Sequence, residues 1–215
     1  MNKSDRIKGL RIGNYLRELS VVIIGVAVTL YAGNLITAYQ QNRDMKLQLD
    51  IVYAELEDNV KKLDPVIFYH EELEKLRGFM LAKYLNPFPA VNDSILKYSS
   101  AASHSHSYTY KKNAYEMFIN SGAMKFLTDR RKLLDITESY TLLEELKYEH
   151  DEYIDSKMKV FHELYKVETE IIVKSTLIQP EEYVMYNFHM LTSGMKDKTV
   201  KVKEELERVI SERYK

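Results

Sequence analysis

The stretch LSVVIIGVAVTLYAGNLI, residues 19–36, decides the fold. No charged residue occurs in it or onward as far as Asn42, and as a helix it spans about 27 Å, enough to cross the hydrocarbon core of a bilayer. Tyr15 and Tyr39 flank it at the depth where amphipathic rings favour the interface. Ahead of it, Lys3, Arg6, Lys8, Arg11 and Arg17 stand against Asp5 and Glu18, and this basic excess predicts a cytoplasmic N-terminus. Residues 1–18 are therefore read as a cytoplasmic tail, 19–39 as a single transmembrane helix of the inner (cytoplasmic) membrane, and 40–215 as an extramembrane helical domain in the periplasm. A cleaved secretory signal has a similar outline. Against it, the apolar run exceeds a typical signal core, no clean Ala-x-Ala follows, and the helical pattern continues without a break.

Gly25, Thr29, Gly33 and Thr37 recur every four residues within the span and share one face. Small side chains let helix backbones approach closely in lipid, so these four are the expected helix-packing residues of the anchor. Just beyond the span, Met45, Leu49, Val52, Leu56, Val60 and Leu63 place an apolar stripe on an otherwise polar segment rich in Gln, Asp, Glu and Lys. The anchor is thus expected to run on into a bundle or coiled-coil helix, whose stripe would lengthen any self-association surface begun in the membrane. Asp64 and Pro65 resemble an N-cap and first-turn pair, predicting a break at Leu63 and a new helix to about Leu85.

The prolines of NPFPAVND, residues 86–93, close that helix, and Asp93 is placed to cap a short helix through Tyr98. SSAASHSHSYT, residues 99–109, is small and polar and reads as an exposed loop. In KKNAYEMFINSG, residues 111–122, Tyr115, Phe118 and Ile119 share a face and Gly122 suits a left-handed helix end. From about Thr128 the residues Leu133, Ile136, Tyr140, Leu143, His150, Ile154, Phe161, Leu164 and Ile171 keep a helical register interrupted by Lys147, Lys157 and Glu168, compatible with one helix of some forty residues or two in series. Pro180 opens a segment to about Leu191, and Ser193 and Gly194 separate it from a charged C-terminal helix over 197–213.

Only 7 Gly and 4 Pro among 215 residues favours long helices, so the predicted class is all-α: a transmembrane helix continuing into an extramembrane helical bundle. The net charge of -1 hides a basic N-terminus and a mildly acidic remainder, which excludes the concentrated basic face that nucleic acid requires. With no cysteine, disulfides, thiolate chemistry and Cys-based zinc sites are excluded.

Two stretches, ELSVVIIGVAVTLYAGN at 18–34 and NAYEMFINSGAMKFLTDRRKLLDITESY at 113–140, resemble a family of uncharacterised single-anchor helical membrane proteins of Bacteroidetes-type bacteria. Glu18, Ile24, Gly25 and Asn34 match its anchor, and Tyr115, Ser121 and Gly122 have counterparts in a later leucine-rich stretch. Gly33 and Leu35 stand where the family has an Asn and a Trp. The resemblance implies topology and a helical domain, and carries no activity.

Local motifs for chemistry are missing. His104 and His106 are spaced as metal ligands can be, yet no third ligand follows from spacing, and a solvated loop is the simpler reading. A di-iron bundle needs Glu three residues before His; those positions hold Ile67, Ala101, Ser103, Lys147, Lys159 and Tyr186. His162 and Glu163 begin like a zincin helix, but Lys166 occupies the second histidine's place. Seven scattered glycines build neither a phosphate cradle nor a nucleophile elbow. Glu71 with Glu72, and Glu144 with Glu145, read as solvated faces. His150 lies on the apolar register and is read as a structural histidine with a satisfied hydrogen bond. No catalytic, cofactor-binding or metal-ligating residue is assigned. The expected role is a membrane-anchored structural or interaction protein of the cell envelope, in contact with lipid and with a second copy or another envelope protein; the alternative is an extracytoplasmic ligand-sensing module acting through a partner.

Overall fold

A computed structural model describes the backbone of residues 3–85, 104–174 and 194–213, and the side chains of 15–78, 104–159 and 194–213. All regular structure among these residues is helical. Helix α1 (Lys3–Leu85) runs for 83 residues, on the order of 125 Å. Helix α2 (Asn113–Asn120) leads through a left-handed Gly122, at φ 73°, into a 3-10 turn at Ala123–Phe126. Helix α3 (Arg130–Lys174) is a single helix of 45 residues, which decides between the one helix and the two that its register allowed. Helix α4 (Met195–Ser211) starts two residues earlier than expected, from a left-handed Gly194 at φ 67°. The Pro-rich stretch 86–93, the Asp93 cap and the 180–191 segment lie outside the described residues.

The expected break at Leu63 does not occur: α1 passes through Pro65. A proline inside a helix loses one hydrogen bond and crowds the preceding turn, at about 3 kcal/mol. Leu63, Val66, Tyr69 and Leu73 are all buried on either side of it, and that burial outweighs the local cost. Pro65 itself is exposed, and Asp64, instead of capping a new helix, accepts from Lys203 of α4 at 2.6 Å.

The apolar stripe of α1 is buried as expected at Met45, Val52, Leu56 and Leu63, with Leu49 and Val60 packed against the same core. It faces the chain's own bundle, so it does not prolong a self-association surface as the spacing had suggested. Opposite it lie Phe118 of α2, Ile136, Leu143 and Leu146 of α3, and Val202, Leu206 and Val209 of α4.

Pairings between elements give the topology. Tyr69 meets His104, Asn59 meets Lys111, Glu55 meets Ala114 and Gln48 meets Ser121, so the chain from 104 to 121 runs back down α1. Helix α3 then ascends parallel to α1, with Tyr140 beside Glu55 and Lys157 beside Tyr69. Helix α4 descends antiparallel to both, through Lys196 to Glu74, Arg213 to Asp50, Lys198 to Glu149 and Arg208 to Asp135. The segment expected as an exposed loop is therefore partly built in: His104 and Ser105 are exposed, but Tyr108 is buried.

Two side chains of α1 hold this returning segment. Asn59 donates to the Lys111 carbonyl at 2.7 Å and accepts the Lys111 N–H at 2.8 Å. Glu55, buried, accepts the N–H groups of Ala114 (2.9 Å) and Tyr115 (3.3 Å) at the start of α2, and the Tyr140 hydroxyl of α3 (2.7 Å). An acid at a helix N-terminus satisfies amides that the helix itself leaves unpaired.

Two outcomes are expected. Pro65→Ala restores a backbone donor within a continuous helix and raises stability by about 1–3 kcal/mol in denaturant unfolding; a loss would mean that the helix stops there. Glu55→Ala strands two amides and a phenol and lowers stability by about 3–5 kcal/mol, with Glu55→Gln costing less because one acceptor survives.

Candidate functional site

Above the Glu55 junction the packing between α1 and α3 changes from aliphatic to polar aromatic. Helical spacing brings Tyr69 and His70 of α1 towards His150, Tyr153 and Lys157 of α3, and the extended segment after residue 104 inserts Tyr108 beside them. The rings touch edge to face or tilted: His70 lies 5.6 Å from His150 and 5.3 Å from Tyr153 between centroids, and Tyr108 lies 6.2 Å from His150. Tyr69 contacts His70 at 5.2 Å and the half-buried His106 at 6.2 Å.

His150 is 0% and Lys157 2% exposed. The Lys157 ammonium donates to the Tyr69 hydroxyl and to the His104 carbonyl (2.7 Å), and Tyr69 donates to the same carbonyl at 3.1 Å. Five neighbouring polar atoms are buried with no hydrogen-bond partner among the described residues: Nε2 of His70, both ring nitrogens of His150, and the hydroxyls of Tyr108 and Tyr153. Each such group costs roughly 1–3 kcal/mol, so together they weigh as much as a small domain's whole stability. Clustering of orphaned groups in one place marks this as the candidate site.

Electrostatics follow from burial. Loss of solvent, reinforced by the charges of His150, Lys157 and His106, pushes His70 down to about 3. Burial brings His150 down to about 4, against a small opposing pull from Asp151. Lys157 falls to about 8 and Tyr69 rises to about 12, both through burial. Tyr108 and Tyr153 are likewise raised by burial. At neutral pH both imidazoles are therefore uncharged, and the fixed positive charge among them is that of Lys157.

The expectation for His150 holds in burial and fails in hydrogen bonding, since neither nitrogen finds a partner. Lys157, taken as an interruption of the apolar face, lies on it; its long apolar stem is buried and its amine finds oxygen acceptors. No local motif marks His70, although Leu63, Val66, His70 and Leu73 keep a 3-4-3 register that places it inward. Tyr108, one of several tyrosines around the Ser-rich stretch that could line a groove or simply belong to the core, is buried against His150. His104 serves through its backbone carbonyl, and no group of three or more His, Asp or Glu able to hold a metal occurs among the described residues. Glu71 and Glu72 pair with Lys196 and Lys75 as surface acids.

The anchor residues Gly25, Thr29, Gly33 and Thr37 lie far from this cluster, on the exposed part of α1. Thr29 and Thr37 donate to the carbonyls of Gly25 (2.8 Å) and Gly33 (2.9 Å), turning their hydroxyls onto their own helix. A Cβ at Gly25 or Gly33 would meet nothing within 4 Å.

Because His70 and His150 bind protons less readily folded than unfolded, the unfolded chain takes them up first on acidification. Stability is expected to be full above about pH 6.5, the unfolded value, and to fall progressively towards pH 4, every tenfold loss of proton affinity on folding corresponding to about 1.4 kcal/mol. Denaturant midpoints measured from pH 7.5 to 4.5 check this, and His70→Phe with His150→Phe should flatten the slope. The chain matches no protein-family model, no curated protein and no solved structure.

Proposed function

We propose that the chain is a single-pass protein of the inner membrane, with residues 1–18 cytoplasmic, 19–39 spanning the bilayer and a periplasmic helical bundle that serves a structural or interaction role in the cell envelope. The observation that carries this reading is the continuity of α1. It is long and apolar enough to cross a membrane, its apolar window is wholly exposed, and the same unbroken helix supplies the bundle's central stripe. An apolar face left uncovered by its own chain needs another apolar environment.

The partner in this proposal is a second copy. On a 3.6-residue helix, Gly25, Thr29, Gly33, Leu47, Ile51 and Ala54 fall within roughly 80° of arc. Leu47 and Ile51 are 56% and 49% exposed, on the outer side of α1, away from the buried Met45, Val52 and Leu56. A close-packed contact in the membrane would thus continue along this outer face.

The full-length protein in mild detergent is expected to form a defined oligomer by light scattering. Gly33→Ile should weaken it through backbone separation, and Leu47→Lys should do so outside the membrane. A monomer throughout, or an oligomer indifferent to both substitutions, would sink the self-association reading.

A further inference from the structure

The polar aromatic cluster has a chemical character beyond an interaction role. The orphaned atoms are two phenol hydroxyls, each able to donate, and three imidazole nitrogens, which donate when protonated. No carboxylate among the described residues hydrogen-bonds to any of them. The acid whose charge reaches His150, Asp151, is itself paired with Lys147. Charges felt at His70 come from His150, Lys157 and His106, all of the basic type. With an imidazole protonated this becomes a buried set of donors beside the Lys157 charge, and it favours negative charge because charge-assisted hydrogen bonds to an anion satisfy the donors and offset the like charges together.

We propose that His70, Tyr108, His150 and Tyr153 form an internal binding site for a small oxyanion of carboxylate or inorganic type. Tyr108 closes it from the extended segment at 104–112, whose Ser105 and Ser107 are exposed. Ring centroids 5.3 to 6.4 Å apart put these rings in contact, so a guest of a few heavy atoms enters by displacing one of them. The anion neutralises the local excess of positive charge, so at least one imidazole becomes protonated when it binds. The site stands on these side chains and is independent of the oligomeric state.

The test uses the full chain in detergent at pH 7, with sodium acetate and sodium phosphate as separate probes against chloride at equal ionic strength. Acetate, phosphate or both are expected to raise the melting temperature by several degrees and to move the ¹⁵N signals of His70 or His150 to imidazolium positions. Tyr108→Phe and Tyr153→Phe decide the matter, because each removes only a hydroxyl that has no partner within the described protein. With a guest present they weaken anion-dependent stabilisation about tenfold in concentration. If the hydroxyls merely face protein, both variants melt at or above the wild type in every salt, and the proposal falls. If they hold internal water, both variants melt lower by an amount that no anion changes, which overturns it equally. Histidine signals of the wild type that ignore both anions also overturn it, whichever variants fold.

Discussion

The carboxylate of Glu55 is the point on which the fold of the helical bundle depends. One side chain, sent inward from α1, receives two amides from the start of α2 and the phenol of Tyr140 from α3. An unpaired buried carboxylate is costly enough that the three elements either converge on it together or not at all. Tyr115 and Tyr140 stack beside it, with centroids 4.3 Å apart and planes within 11°, which seals the junction from water. Four residues along α1, Asn59 repeats the device by pairing with both backbone groups of Lys111. Residues 111–115 have few apolar side chains of their own to bury, so it is polar pairing that fixes where they lie.

Fixing that segment has a consequence for the helices. Helices α1 and α3 run parallel, and two consecutive parallel helices need a long return between them. Here part of the return fills space between them instead of passing outside, and the closest backbone approaches are those of α1 with α2 and of α4 with α1 and with α3. Large aromatic side chains reach across what remains, which gives a use for many of the 17 tyrosines in a chain without tryptophan. Near Glu55 the polar ends of these rings are satisfied. Near His150 they are not, and this difference separates the part of the core that stabilises from the part that has chemistry to offer.

Much of this was legible in the sequence, and the failures share a cause. Helix content, a long apolar N-terminal helix, the inward stripe from Met45 to Leu63 and the turn at Gly122 follow from local spacing and backbone preference, and they hold. The break at Pro65 was also a sound local inference, but propensity lost to tertiary burial on both sides of the proline. Glu55, Lys157 and Tyr108 are hidden from local spacing because each is polar, or lies in a polar stretch, and is buried against partners about 40 to 90 residues away. Periodicity reports which face of a helix is apolar. It does not report where a long-range acceptor waits for an amine or an amide for a carboxylate.

The continuity of α1 also constrains how the two ends of the molecule relate. His70 lies in the upper bundle and Tyr39 near the end of the apolar span, 31 residues apart on one helix, or about 47 Å. Its softest point is Pro65, which lacks one hydrogen bond of the ladder and lies below the cluster. Against bending there, Lys203 of α4 pairs with Asp64 immediately before the proline, and Val66 immediately after it is fully buried. The bundle therefore braces α1 at its weak link, between the exposed apolar span and the buried cluster.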